Sequence, residues 1–537
     1  GHQRVRHLPA MRKTAASFGL LDAPKYGRRR EARRRRWMPA VALLAAATAA
    51  TALGGPLDEP LEAPPPGAPR AFEPPSLDAR LQRALRQAGF TGRVQSTLEK
   101  RLGRPVDPAL AALGNALFFD PVLSLHGDNA CAGCHSPANG FGDSQSIAIG
   151  VQGNRIVGPG RQGTRNRRRS PMVLNSAFYP KLMWNGRFRS PSGDPFDNSM
   201  AFVFPAPEGS AKFPAGNADV THLLAAQAHL PSTELVEMAG FTGTGGPFDD
   251  GIGHPVPPAD ASGYRNEPIR QAVLDLVNAA PGYRDAFGAI YPNVAQGDRI
   301  TFAMLGQAIA EFEFTLTFAD APLDRFARGE RAAMTDAQKR GALIFFGKAG
   351  CVRCHAVAGK ANEMFSDFEM HVVGIPQLAP VYGPGTCNVR LAGPGEDEDF
   401  GFEEVTGDPA DRYKFRTSPL RNIALQPTFF HNGAFTTLDD AIRHYNDPAA
   451  SDRAYVAAAK GVAPDLTTRL GPIEPVLEHL SPLLGPMRLP AAELADLITF
   501  VRDGLLDSRA SAESFLRLVP DELPSGLPGL VFEGHSP

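Results

Sequence analysis

Residues 113–135 read LGNALFFDPVLSLHGDNACAGCH, and residues 340–355 read RGALIFFGKAGCVRCH. Each joins an apolar run of helical period to a Cys-x-x-Cys-His loop. The first loop carries Cys131, Cys134 and His135, and the second carries Cys351, Cys354 and His355. Three chemistries use paired cysteines. A structural zinc site takes four ligands, usually from two such pairs. A redox dithiol of the thioredoxin type belongs near a βαβ pattern. Covalent haem attachment uses two thiols for the porphyrin vinyl groups and the adjacent imidazole for the iron, which fixes the spacing Cys-x-x-Cys-His. At this composition a cysteine meets Cys at +3 and His at +4 by chance roughly once in several thousand. Zinc has no need of a histidine in the same place twice. The spacing therefore predicts two haems c, one on each loop. A helix that delivers the chain to a haem loop is the pattern of small cytochrome c domains. Two copies predict a mainly α fold of two cytochrome c-like domains, each with one covalent haem and with long loops between helices.

The chain has 537 residues, 43% hydrophobic and 21% charged, which suits two or three domains with packed cores. Its 54 glycines and 50 prolines suit loops wrapped around cofactors better than a regular sheet. Cys387 has no partner once both haems are attached, so no internal disulfide is implied. The net charge of −2 hides an asymmetry: the first 36 residues carry +10 and the rest −12. The block RRREARRRRW (28–37) has the charge of a nucleic-acid patch, but the uncharged run MPAVALLAAATAATALGG (38–55) follows it. Together they have the basic and apolar regions of an export signal. The run is barely long enough to cross a bilayer. Cleavage near Ala52 is expected, an uncleaved anchor is the alternative, and Met11 is the expected native start. Haem c is attached outside the cytoplasm, so these features predict an acidic periplasmic protein with no nucleic-acid partner.

The expected organisation is an export signal or anchor over 1–53, a Pro-rich linker over 54–75, a first cytochrome domain over 76–299 and a second over 300–537. Leu77 to Phe90 has helical period. Asp107 is a cap with Pro108 in the first helical position, and Thr335 caps the matching helix before the second loop. The helix over 300–318 is expected to open the second domain, and one over 490–506, with Pro490 at its start, to close it. Residues 190–220 and 241–265 are expected to be long loops that cover a site.

The chain resembles the bacterial di-haem cytochrome c peroxidase family, MauG-type enzymes included. The motifs that carry the resemblance are LFFDPVLS (117–124), CAGCH, PMVLNSAFYPKLMWNGR (171–187), CVRCH and KFRTSPLRNIALQPTFFHNGAFTTLDDAIRHY (414–445), in the family's order. The resemblance implies that the first haem reduces peroxide and that the second passes electrons or stores an oxidising equivalent. It makes His135 and His355 the proximal iron ligands. Many family peroxidases cap the first iron with a histidine soon after the first loop. None stands here before His222, which implies an iron open to peroxide; His126 is the alternative cap, with a loop role preferred.

For proton transfer the resemblance points to Glu237, with Gln227 as partner ten residues earlier and Glu234 as a competitor. It points to Tyr445, counted from His431, as the distal ligand of the second iron, with Met487 and His444 as alternatives. Trp184 would relay electrons between the haems. The family's calcium site leaves one ion open here: Gln426 and Thr428 are present, but Arg169 stands where an Asn is expected, with Asn166 as a replacement. The implied partners are hydrogen peroxide and a small periplasmic donor, a cytochrome or a copper protein, or else a protein substrate; a homodimer is compatible. Two other functions stay open: a MauG-like oxidase or oxygenase acting on a protein or polymer, and a plain electron-transfer cytochrome.

Overall fold

A computed structural model describes residues 74–240, 256–383 and 385–535. The expected export signal lies outside the described residues, as does the linker apart from Pro74 and Pro75. The helices that organise the rest are α1 (Leu77–Ala88), α2 (Pro108–Phe119), α3 (Leu223–Gln227), α4 (Phe302–Thr315), α5 (Pro322–Ala327), α6 (Asp336–Phe346), α7 (Leu438–His444), α8 (Ala491–Thr499) and α9 (Ala512–Leu516). Extended structure among the described residues is confined to two-residue strands, so the architecture is mainly α.

The caps form as the side chains dictate. The Asp107 carboxylate accepts from the amides of Ala109 and Leu110 at 2.9 and 3.1 Å. Thr335 and Gln338 exchange reciprocal bonds in a capping box, which satisfies donors that the first turn of a helix leaves open.

Each delivering helix is crossed by a partner at a glycine. A Cβ on Gly114 of α2 would stand 1.8 Å from the carbonyl oxygen of Ala308 on α4. A Cβ on Gly341 of α6 would stand 2.0 Å from that of Asp496 on α8. One turn on, Phe118 meets Phe312 at 5.3 Å between ring centroids, and Phe345 meets Phe500 at 5.4 Å. The sequence LGNALFF thus uses its glycine for a close helix crossing and its first phenylalanine for the core under the loop, and RGALIFF does the same.

This equivalence corrects one expectation. Helix α4 does not open the second half. It is the closing helix of the first, the counterpart of α8, and Leu305, Ile309, Phe312 and Leu316 lie in the first core. The division at 299/300 also fails at the chain's ends. Leu81 and Leu85 of α1 lie in the second core with Phe345 and Phe365. Phe515 and Phe532, from the C-terminal segment, lie in the first core against Phe141 and Phe119. There Ile156–Val157 pairs in parallel with Val531–Phe532. Helix α1 and the C-terminal segment of the described residues each clasp the half built mainly from the other part.

A second repeat appears between the loops. Asn175 and Asn422 both take left-handed backbone angles, φ 64° and 59°, a region Asn tolerates better than most residues. Both side chains donate to the carbonyl of Phe318, at 3.0 and 2.8 Å. Nine residues after each comes an aromatic or imidazole ring followed by Asn-Gly: Trp184 and His431. Segment 190–220 is irregular but packed: Phe196, Phe202, Phe204 and Phe213 build a third hydrophobic cluster, with Phe204 edge-on to Phe188 at 4.8 Å. Of the loop expected over 241–265, residues 241–255 lie outside the described residues.

Candidate active site

Both Cys-x-x-Cys-His loops are single tight turns, with the amide of the histidine donating to the carbonyl of the first cysteine at 2.9 Å for His135 and 2.8 Å for His355. The His135 Nδ1 lies 3.2 Å from the carbonyl oxygen of Phe141, and the His355 Nδ1 lies 2.9 Å from that of Phe365. Both phenylalanines adopt positive φ, 55° and 58°, which turns these carbonyls back toward the rings. With Nδ1–H donated to a carbonyl, Nε2 carries the lone pair, as a metal-bound imidazole requires. Burial pushes the His135 imidazole down to about 4 and lowers that of His355, so both rings are neutral at pH 7.

All five cysteines are free of disulfides. Burial pushes the thiols of Cys131 and Cys351 up to about 12 and that of Cys134 up to about 11. A redox dithiol needs the opposite shift. Among the described residues the only cluster of three or more donor groups of metal-binding type is Cys354, Asp367 and His371; no four-ligand set joins the two cysteine pairs, so a shared zinc site is excluded there.

The second loop opens into a large cavity. Its non-atom space, mouth included, is about 1380 Å³, and it is lined by Cys351, Cys354, His355, Tyr445, Met487 and mostly apolar neighbours. His431 also lines it, and its Nε2 is buried without a hydrogen-bond partner. Two adjacent thiols, a neutral imidazole and an orphaned ring nitrogen around an apolar cavity fit a haem. Tyr445 and Met487 both face that cavity. His444 does not: its Nε2 lies 2.9 Å from the Val373 carbonyl and its Nδ1 3.7 Å from Asp452, which removes it as a ligand. Burial raises the Tyr445 phenol above its ordinary value, so without a metal it stays protonated.

Around the first loop the groups are carboxyls. Glu237 sits on a wide turn, Leu235–Ala239. The turn is held against the chain at Gly150, where a Cβ would lie 1.8 Å from the Val236 carbonyl oxygen, and the amide of Val151 donates to that oxygen at 2.9 Å. Asn129, two residues before Cys131, donates to the Glu237 carbonyl at 2.7 Å. The haem loop and the acid are therefore one rigid unit. Burial, with Glu234 next, pushes the Glu237 carboxyl up to about 7, against Arg187 and a 3.3 Å bond from Asn166 Nδ2. The competitor Glu234 faces Arg187 at 3.6 Å. Gln227 ends α3, and its side chain is not the hydrogen-bond partner of Glu237; Asn166 is. His222 is bound to the Ala177 carbonyl and the Leu224 amide, at 3.1 Å each, a purely structural role. The His126 ring packs on Gly240.

Trp184 is buried and lines the second cavity. Its indole N–H donates to the Arg169 carbonyl at 2.9 Å, and the Arg169 amide donates to the His431 carbonyl at 2.8 Å. The side chains at the place named for calcium are bound to one another and to the backbone. Arg169 Nη2 donates to Gln426 Oε1. Thr428 Oγ1 donates to the Gln145 carbonyl at 2.9 Å. Asn166 Oδ1 accepts from the Arg167 amide at 2.7 Å.

Four groups stand in places the sequence does not assign them. The sequence points to Asn166 only as a metal ligand. Arg187 was visible as the Arg of Trp-Asn-Gly-Arg. His431 is the counterpart of Trp184 in the Asn repeat, a signal present in the sequence. Glu313, buried on α4 with Oε2 unpartnered and pushed up by burial to about 8, gave no signal, because its helix was assigned to the other half.

Two Cys-x-x-Cys-His loops, each delivered by a helix that a partner crosses, fit a c-type haem oxidoreductase with two centres. Residues 108–332 match the model of the di-haem cytochrome c peroxidase family, which includes MauG. The chain is 29% identical over 410 residues to the cytochrome-c peroxidase IdrP1 of Pseudomonas sp. (strain SCT), covering 73% of this chain and 79% of that protein. It is 28% identical over 345 residues to the methylamine utilization protein MauG of Methylorubrum extorquens, covering 64% and 69%. The crystal structure of a MauG-like protein associated with microbial copper homeostasis has the same fold, with a TM-score of 0.51 at 22% identity over 78% of this chain and 95% of that one. These matches support membership of the di-haem cytochrome c peroxidase family, and the chain is an oxidoreductase of the peroxidase and MauG type. That family implies two haems c.

Proposed function

We propose that this protein is a periplasmic peroxidase that reduces hydrogen peroxide at the first loop, with the second loop as electron relay or store. The observation that carries the reading is the asymmetry of proton-transfer groups: Glu237, poised near pH 7, belongs to the first loop. Bound haem supplies an iron that takes up peroxide and exchanges electrons. The chain's own residues do the rest. His135 and His355, with Nδ1 tied to backbone carbonyls, present Nε2 to the two irons. The Glu237 carboxylate would take a proton from peroxide and give it to the departing oxygen, a role that works best when the pKa is near the working pH. Asn166 orients that carboxyl, and Arg187 holds Glu234 away from competing for the proton. Gln227, at the end of α3, is the proposed polar partner in that step.

At the second loop Tyr445 is the side chain proposed to hold the iron together with His355, with Met487 the competitor on the same cavity wall. An anionic oxygen ligand favours the oxidised metal, whereas a thioether raises the potential. Trp184, buried and pinned by Arg169, is the proposed path between the loops. The proposed partners are hydrogen peroxide and a small periplasmic donor, or a protein substrate in the manner of MauG.

Stopped-flow mixing of the fully oxidised holoprotein with peroxide tests this reading. A rapid Soret change without prior reduction is expected. A Tyr445→Met variant should raise the second midpoint potential, a shift within the range that axial ligands span, on the order of hundreds of millivolts. No Soret change until one haem is reduced, or an unaltered potential in Tyr445→Met, overturns the assignment concerned.

A further inference from the structure

We propose that the guanidinium of Arg169 is the resident cation between the two haem loops and that the protein binds no calcium there. Arg169 is 4% exposed. It stands at a junction of the two sites. Through Gln426 its side chain reaches the first loop: Arg169 Nη2 donates to Gln426 Oε1, and Gln426 Nε2 donates to the carbonyl of Asn139, four residues after His135. Its backbone serves the second site: the amide donates to the His431 carbonyl, and the carbonyl accepts from Trp184. The same side chain lines the cavity of the second loop.

The charge balance disfavours a metal ion beside the arginine. The buried carboxylate facing it is Asp143, held by the amides of Gln145 and Ser170 at 3.1 and 2.9 Å. Asp143 also feels the Arg161 guanidinium. A divalent ion added there would stand beside two guanidiniums in a low-dielectric interior, where like charges repel strongly. The side chains at this place are engaged without a metal: Gln426 Oε1 accepts from Arg169 itself, Asn166 Oδ1 accepts from the Arg167 amide, and the Thr428 hydroxyl donates to the Gln145 carbonyl. A covalently tethered cation also differs from a metal in that no chelator removes it. The inference does not depend on which loop reduces peroxide.

The test uses the two-haem holoprotein, dialysed against EGTA and then titrated calorimetrically with calcium chloride. No saturable site and an unchanged melting temperature with or without calcium are expected. One saturable calcium ion per chain overturns the proposal. Spectroelectrochemistry of Arg169→Gln and Arg169→Lys adds a second readout. Removing a fixed positive charge between the loops should shift both midpoint potentials downward, and the lysine, which keeps the charge, should restore most of the shift. Potentials unaltered in Arg169→Gln would show that the guanidinium is not the resident cation. If the glutamine variant does not fold, the calcium titration of the unaltered protein and the lysine variant still decide.

Discussion

The two loops share a frame and differ in what surrounds it. Each is delivered by a helix crossed at a glycine, Gly114 or Gly341, and each histidine is fixed by the carbonyl of a phenylalanine at positive φ. Around the first loop stand acids, Glu237 and Glu313, with Cys131 feeling both charges. Around the second stand rings: Tyr445, His371 and His431 all line its cavity, and His371 pairs with Asp367 at 2.9 Å. One scaffold, copied, can hold two different chemistries because the scaffold contacts are made by backbone and core residues. The groups that tune each centre are supplied by later segments that pack over it.

The sharpest way to break this comparison is to remove one attachment site at a time. Cys131→Ala with Cys134→Ala should retain one covalent haem by pyridine haemochrome assay and lose all peroxide turnover. Cys351→Ala with Cys354→Ala should also retain one haem but keep a fast first reaction with peroxide in stopped flow. Equal losses in the two would erase the functional distinction between the loops.

Glu237→Gln comes next in size. Removing a general acid–base group costs about 10²–10⁴ in rate. Because burial raises this carboxyl to about 7, the active carboxylate form is lost as pH falls through 7. The rate of the peroxide reaction should therefore rise with pH around an apparent pKa near 7, and the glutamine variant should show a flat profile. A variant that is slow but keeps the same pH profile would exclude Glu237 as the titrating group.

The frame itself is tested by Gly114→Ala and Gly341→Ala. Overpacking of this kind costs about 1–3 kcal/mol, read as a lower midpoint in denaturant. Similar losses in both would support a true structural repeat. The smallest effects belong to the caps: Asp107→Ala and Thr335→Ala should each cost about 1 kcal/mol, without altering the spectrum of either haem. A spectral change on cap removal would mean that the delivering helices tune the iron directly.

Much of this was legible beforehand. The two attachment loops, the caps at Asp107 and Thr335 and the helices before each loop all depend on residues close in sequence, so spacing and side-chain chemistry sufficed. The family motifs added Glu237, Trp184 and Tyr445, and the structure brings Tyr445 to the second cavity and Glu237 to the first loop. What failed was the boundary near residue 300. The run 300–318 carries an apolar surface either half could bury, and only the backbone approach at Gly114 and Ala308 gives it to the first. The hydrogen-bond partner of the Glu237 carboxyl was not legible for a related reason: separation along the chain does not say which side chain meets it, and Asn166 lies 71 residues away in sequence.

By itself the sequence determined that this chain carries two Cys-x-x-Cys-His loops, each after a helix, because spacing and helix capping are local. The tertiary structure alone decided which helix closes which half, which acid is raised toward neutrality and what Arg169 touches. Those outcomes depend on burial and on contacts between segments hundreds of residues apart, and no local pattern encodes them.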